Sequence, residues 1–112
     1  MDMQFTDMGG VTKAVLCGRL DSFSVGEVET RFVSSIVPKE QHAVVDLSQV
    51  SFIASLGIRM LIGTARALGR SNARFVMFGA NEGVMEIIET TSLTEIIPVV
   101  VTEAEALAIV AA

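Results

Sequence analysis

Ser55 is the residue whose type and setting could do chemistry in this chain of 112 residues. It follows an apolar run at 43–47, typical of a buried strand, and precedes a segment from Ile58 to Leu68 whose apolar residues recur at helical spacing. A hydroxyl at such a corner can cap the helix by accepting a hydrogen bond from an unpaired backbone N–H group. It can also carry a phosphate, which the free N–H groups and the helix dipole would stabilise. The residues alone leave both roles open.

Three arginines after Ser55 suggest that the outer side of this helix is a docking surface. Arg59, Arg66 and Arg70 recur at spacings that place them along one stripe, with Gly63 between them and Met60 beside them. Such a stripe is either a solvated face or, on an acidic protein, a surface that meets the acidic edge of a partner.

The sequence lacks the groups that common active sites require. The sole histidine, His42, lies at the far end of the strand that precedes Ser55, which argues against a nucleophilic triad. One histidine and one cysteine, Cys17, cannot form a disulfide or a Cys/His metal cluster within one chain. No glycine pattern of the dinucleotide or P-loop type is present. We therefore expect no catalytic residues, no metal and no cofactor.

Composition restricts the partners and the compartment. Eight Lys and Arg against thirteen Asp and Glu give a net charge of −5, which disfavours nucleic acid and anionic membrane surfaces as partners. The first residues lack the regions of a signal peptide, and no apolar run approaches the roughly 18 residues of a membrane span. A hydrophobic content of 51% suits one domain with its own core. We expect one domain over residues 1–112 in a cytoplasmic protein without membrane insertion.

Strands and helices alternate along the chain. Gly9-Gly10 predicts a hairpin turn between two antiparallel strands, and the later strands are separated by helices, which implies parallel pairing. The sequence thus predicts an α/β domain with a mixed central β-sheet and the order β-β-α-β-α-β-α-β-α. The predicted strands are 3–8, 11–17, 42–47, 73–78 and 96–101, and the predicted helices follow Ser24, span 56–69, follow Asn81 and follow Thr102.

Local patterns predict how the helices begin and which sides they bury. Ser24 with Glu27, and Thr102 with Glu105, have the spacing of a capping box. Pro98 lacks a ladder donor and places the last strand at a sheet edge. The predicted apolar stripes are Val25, Val28, Phe32 and Ile36 in the first helix, and Ala104, Leu107, Ala108 and Ala111 in the last.

The chain resembles the STAS domains and, within them, the bacterial anti-sigma factor antagonists. The matching segments are Gly18-Arg19-Leu20-Asp21 after the hairpin, Asp46 to Val50, and Phe52 to Leu61, and the element order matches over essentially the full length. The resemblance implies a single STAS domain with helices packed mainly on one side of the sheet. Aligned by Gly57, Ser55 falls on the serine that is phosphorylated in that family.

The resemblance also implies a partner-switching cycle without an active site in this chain. The unmodified domain would bind an anti-sigma factor, itself a serine kinase with a histidine-kinase-like ATP-binding fold, and so release a sigma factor. Phosphorylation of Ser55 would end that binding, and a PP2C-type phosphatase would restore it. The protein would be a monomer or weak dimer. The expected partner-binding residues are Asp21, Ser22, Ser51, Ala54, Ser55, Leu56, Gly57, Arg59, Met60, Gly63 and Arg66.

Two alternatives to the switch can be compared with the sequence. Ala54 and Leu56 stand where the family usually has an aspartate and a second hydroxyl residue, which favours a STAS scaffold or accessory subunit of a stress-sensing or lipid-transport complex, without a phosphoswitch. A response-regulator receiver is suggested by Val44-Val45-Asp46, but it would need an acidic pair after the first strand and a lysine after a later strand to hold a magnesium ion, and the sequence has neither at those places.

Overall fold

The computed structural model describes all residues from Met1 to Ala112, which form five strands and four α-helices. In chain order the elements are β1 (Asp2–Asp7), β2 (Val11–Leu20), α1 (Ser22–Ile36), β3 (His42–Ile53), α2 (Ser55–Gly69), β4 (Phe75–Phe78), α3 (Glu82–Thr90), β5 (Val99–Val100) and α4 (Glu103–Ala111). Single-turn 3-10 helices at Val37–Lys39 and Leu93–Glu95 follow α1 and α3. The predicted order of elements is confirmed.

The strands form one mixed sheet in the order β1-β2-β3-β4-β5. β1 and β2 pair as an antiparallel hairpin around Gly9 and Gly10, which both have positive φ angles, and the other three pairings are parallel. α1, α2 and α3 each connect one parallel strand to the next. Because a helix that follows a parallel strand begins at the carboxyl end of that strand, all these helices begin at the same edge of the sheet.

The main core lies between one face of the sheet and α1, α2 and α3. Its fully buried side chains include Phe32, Leu61 and Ile88 from these helices and Leu16 and Leu47 from the sheet. α4 covers the other face, where a smaller apolar cluster consists of Val44, Val76, Phe78, Ala106 and Val110. The expectation of helices packed mainly on one side is confirmed.

Two strands are longer than predicted, and their length determines where Ser55 lies. β3 continues to Ile53 rather than ending at 47, and β2 continues to Leu20 rather than ending at 17. The pairing of these strands contains register shifts, and within the irregular region the Ser48 N–H donates to the Asp46 carboxylate at 2.8 Å. This irregularity lets two exposed polar residues, Ser48 and Gln49, sit inside β3.

Two helix details differ from the prediction. α1 begins earlier: its N-cap is Asp21, whose carboxylate accepts the Ser24 N–H at 3.0 Å, so the predicted Ser24–Glu27 capping box is wrong. In α4 the buried residues are Ala106 and Val110, so the predicted buried stripe is wrong as well. The Thr102 cap of α4 is confirmed, since its hydroxyl accepts the Glu105 N–H at 3.1 Å.

Candidate functional site

Two helices begin side by side at the carboxyl edge of the sheet. The last residue of β2, Leu20, is paired in register with the last residue of β3, Ile53, and the Ala54 N–H donates to the Leu20 carbonyl at 2.9 Å. α1 then begins at Ser22 and α2 at Ser55, and both serines are exposed. The extended strands thus bring together two segments that lie about thirty residues apart in the chain.

Gly57 allows α2 to approach β2 closely. It is buried, and a Cβ at this position would lie 2.8 Å from both the Leu20 Cγ and the Leu20 carbonyl oxygen. Those separations are far below van der Waals contact, so any side chain would push the first turn of α2 away from β2. Gly57 therefore has a packing role, and its burial contradicts the expectation that it contacts a partner.

Ser55 does not cap α2. The N-cap is Ala54, which has no hydroxyl, and no side chain accepts a hydrogen bond from the first turn. Ser55 is instead the first helical residue, so the predicted capping role is wrong. The backbone N–H groups of this turn therefore remain unsatisfied donors, as at any uncapped start of a helix. The Ser55 hydroxyl lies beside them on the surface.

Asp21 caps the neighbouring helix and is held as an anion. The Ser24 N–H donates to its carboxylate, and the Asp21 N–H donates to the Ser24 hydroxyl oxygen at 2.9 Å. The hydrogen bond from the Ser24 N–H, with a further contribution from Arg19, holds the pKa of Asp21 below its usual value. Stability from ionised Asp21 is therefore present above the unfolded pKa of about 3.9 and lost as pH falls through the lower folded value.

Arg19 adds a positive charge beside this cap. Its Nε lies 3.5 Å from the Asp21 carboxylate, and its guanidinium lies 4.5 Å from the centre of the Phe52 ring. The two contacts place the guanidinium beside the ends of β2 and β3. The ion pair of Arg19 with Asp21 could have been predicted from their i,i+2 spacing along an extended segment.

The exposed face of α2 is one continuous stripe that starts at Ser55. Arg59, Gly63, Arg66 and Arg70 follow at helical spacings of four, four, three and four residues, and all are exposed. Met60 does not belong to it, because it is only 2% exposed and packs into the main core. The expectation that Met60 faces a partner is therefore wrong.

The remaining predicted residues differ in exposure. Leu56 is 39% exposed beside Ser55, and Ala54 is half-buried. Ser51 is exposed, with its hydroxyl 3.4 Å from the Gly18 carbonyl oxygen. None of the five surface pockets is lined by Ser55, so this serine lies on an open surface.

Residues outside this surface have local structural contacts. His42 accepts the Arg74 N–H at 2.8 Å at the opposite end of β3 from Ser55, as a structural role predicts. No three His, Cys, Asp or Glu side chains are grouped so that they could hold a metal ion. None of the helices combines the length and the apolar character that crossing a membrane requires.

The profile of the STAS domain matches residues 4–106. The chain belongs to the STAS domain family. It is 28% identical over 86 residues to an anti-sigma-B factor antagonist of Staphylococcus epidermidis, covering 73% of this chain and 76% of that one.

Solved structures share the fold of this STAS domain. An anti-sigma factor antagonist from Mycobacterium paratuberculosis is 25% identical, with a TM-score of 0.89 over 99% of this chain and 94% of that one. The phosphorylated form of the Bacillus cell fate determinant SpoIIAA is 18% identical, with a TM-score of 0.69 over 95% of this chain and 96% of that one.

Phe23 is a surface residue of this STAS domain that sequence analysis missed. It lies in the first turn of α1, next to Ser22, and its side chain is 77% exposed. A signal was present, because Phe23 lies off the apolar stripe that Val25 and Phe32 define. A large apolar side chain so exposed beside Ser22 and Asp21 is a candidate interface residue.

Proposed function

We propose that this STAS domain is an anti-sigma factor antagonist that works as a partner switch controlled by phosphorylation of Ser55. Its partner would be an anti-sigma factor that is also a serine kinase of the histidine-kinase-like ATP-binding fold. Binding of the unmodified domain would release a sigma factor. Support comes from relatives in Listeria and Staphylococcus that are named anti-sigma-B factor antagonists, and from SpoIIAA, which has been solved in unphosphorylated and phosphorylated forms.

The observation that carries the proposal is the placement of Ser55 as an exposed, non-capping first residue of α2. The kinase would transfer the γ-phosphoryl group of ATP to the Ser55 Oγ, with release of ADP and of the hydroxyl proton. The attached phosphate would lie next to unsatisfied N–H groups at the positive end of the helix dipole. Because no cap hydrogen bond has to break, the domain would stay folded in both states.

The reverse step would need a second protein. A PP2C-type phosphatase would use water to hydrolyse the phosphoester, which releases inorganic phosphate and restores the Ser55 hydroxyl. In this proposal the domain supplies no catalytic group, and it is a substrate and binding module rather than an enzyme. The cycle would run in the cytoplasm, the compartment that the sequence composition favours.

The proposed docking surface combines an apolar centre with arginines at one side. Phe23 in the first turn of α1 and Leu56 in the first turn of α2 provide apolar contact area, and Arg59 and Arg66 extend the surface along α2. Such a surface fits a partner with an apolar recess and an acidic rim. The residues in this surface are Asp21, Ser22, Phe23, Ser51, Ser55, Leu56, Arg59, Gly63 and Arg66.

Phosphorylation would act at the middle of this surface. A phosphate adds a charge of about −1.5 to −2 at neutral pH. Burying that charge against an acidic partner rim would cost both repulsion and desolvation. The modified domain would therefore release its partner without any change in fold.

The test compares charge variants at Ser55 for binding to the purified anti-sigma factor kinases of the source organism. We expect Ser55→Ala to bind one of them and Ser55→Asp to bind it at least about tenfold more weakly, which corresponds to about 1.4 kcal/mol. Ser34→Asp is the charge control, because Ser34 is exposed near the other end of α1. Circular dichroism should show all three variants folded.

Equal affinities of Ser55→Ala and Ser55→Asp would contradict the switch. That result would favour the scaffold or accessory subunit that Ala54 and Leu56 had suggested. It would leave membership of the STAS family untouched, because the family rests on residues 4–106 as a whole.

A further inference from the structure

Arg59 lies one helical turn after Ser55 on the same exposed face of α2. Residues four apart on a helix have Cβ atoms about 5–6 Å from each other. Both side chains are exposed, whereas Ile58 between them is buried in the core. A group attached to the Ser55 Oγ is therefore within reach of the Arg59 guanidinium without any movement of the backbone.

Arg59 has no ionic partner within the protein. The two salt bridges of the molecule are Lys13 with Glu103 on the other face of the sheet, and Arg19 with Asp21. Arg19 is the other cation at this edge of the sheet, but its guanidinium already contacts Asp21 and Phe52. Arg59 is thus the cation that a new negative charge at Ser55 would attract.

The other exposed cations of α2 are too distant to substitute for it. Arg66 lies eleven residues after Ser55, which is about 16 Å along the helix axis. Arg70 lies a further turn away. The order of the pair also matters, because an anion placed N-terminal to a cation at i,i+4 is the more favourable arrangement.

We propose that Arg59 is the internal counter-ion of phosphorylated Ser55, so that phosphorylation both adds a charge and withdraws Arg59 from the docking surface. This inference rests on the proposed phosphorylation of Ser55. In the unmodified domain Arg59 is free to meet an acidic group of the partner. In the modified domain the phosphate pairs with the Arg59 guanidinium, since charge-assisted hydrogen bonds between arginine and phosphate are among the stronger hydrogen bonds at a protein surface.

The pairing makes the switch depend on two residues rather than one. The phosphate repels an acidic partner, and the same phosphate removes the arginine that would have attracted that partner. A domain with Arg59→Gln would lose the second effect and keep the first. Its phosphate would keep the N–H groups and the helix dipole beside it but would titrate without the guanidinium of Arg59.

The test is a ³¹P NMR titration of the full chain with phosphoserine installed at position 55 during protein synthesis. We expect the second pKa of the phosphate to be about 0.3–0.6 higher in Arg59→Gln than in the parent, because the variant lacks the cation that favours the dianion. Arg66→Gln is the matched control, since it removes the same charge from the same stripe. It should leave the phosphate pKa at the parent value.

Equal phosphate pKa values in Arg59→Gln and Arg66→Gln would overturn the inference. Both substitutions are at exposed positions of α2, so both variants should fold, and far-UV circular dichroism checks this. The phosphate is installed without a kinase, so the result does not depend on whether cells modify Ser55. Failure of the pairing and failure of the proposed function are therefore distinguishable.

Discussion

At the scale of single residues, two groups that are missing from the start of α2 determine its properties. Gly57 has no Cβ, which lets α2 approach Leu20, and Ala54 has no hydroxyl, which leaves the first turn uncapped. An alanine N-cap is a poor one, and replacing a good cap by alanine typically costs about 1 kcal/mol. The Ser55 site thus lacks a stabilising cap that Asp21 provides to the neighbouring helix.

A comparison of two glycines in α2 tests the close approach. Gly57→Ala should destabilise the fold by about 1–3 kcal/mol, because the new methyl group would lie against the Leu20 carbonyl and side chain. Gly63→Ala is the control, since nothing lies within 4 Å of a Cβ there, and it should stabilise the helix by about 0.5–1 kcal/mol. Urea unfolding measures both.

We expect the free energy of unfolding to fall in Gly57→Ala and to rise in Gly63→Ala. If Gly57→Ala proved as stable as the parent, the packing of α2 against β2 would not require the glycine. The close approach at Gly57 would then not be what holds Ser55 beside α1.

At the scale of secondary-structure elements, the site depends on the carboxyl ends of β2 and β3. Sequence patterns identified both strands but ended them early, because exposed Ser48 and Gln49 interrupt the apolar pattern of β3. Register shifts of this kind depend on pairing between strands far apart in the chain, so a single strand's pattern does not reveal them. The start of α2 was predicted to within one residue, and that one residue changed Ser55 from the cap to the first helical position.

The start of α1 supplies a prediction about the docking surface. Phe23→Ser should weaken binding of the anti-sigma factor partner by about tenfold or more, because exposed aromatic side chains near the centre of an interface contribute most to affinity. Val101→Ser is the control: Val101 is also 77% exposed, but it follows β5, three strands away from β2. Isothermal titration calorimetry measures both affinities.

Thermal stability should be nearly unchanged in both variants, since both side chains are mostly exposed. A Phe23→Ser variant that binds as tightly as the parent would remove α1 from the docking surface. The interface would then have to be sought along α2 alone.

At the scale of the whole molecule, the two faces of the sheet are covered very unequally. α4 covers its face with Ala106 and Val110, and polar contacts reinforce it, including Lys13 with Glu103 at 2.6 Å and Arg74 with the Ile109 carbonyl. The sequence pattern predicted α4 correctly but indicated the wrong side of this helix as the buried one. The helix is apolar on nearly every side, so its hydrophobic periodicity cannot select the buried face.

Two alanines of α4 distinguish the observed face from the one that the sequence predicted. Ala106→Asp places an unpaired charge in a fully buried position and should destabilise the fold by about 3 kcal/mol or more. Ala108→Asp, on the exposed side of the same helix, should change stability by less than about 0.5–1 kcal/mol. Differential scanning calorimetry compares the two melting temperatures. A larger loss in Ala108→Asp would mean that α4 packs through its other side.

Intact-mass analysis of the protein isolated from its own cells, followed by site mapping, tests whether Ser55 is a regulatory phosphorylation site. We expect a fraction of molecules heavier by one phosphate, with the modification on Ser55, and a larger fraction when the phosphatase is inhibited. Consistent absence of phosphate on Ser55 across growth and stress conditions, with the phosphatase inhibited, would contradict the switch. This STAS domain would then be a constitutive binding subunit.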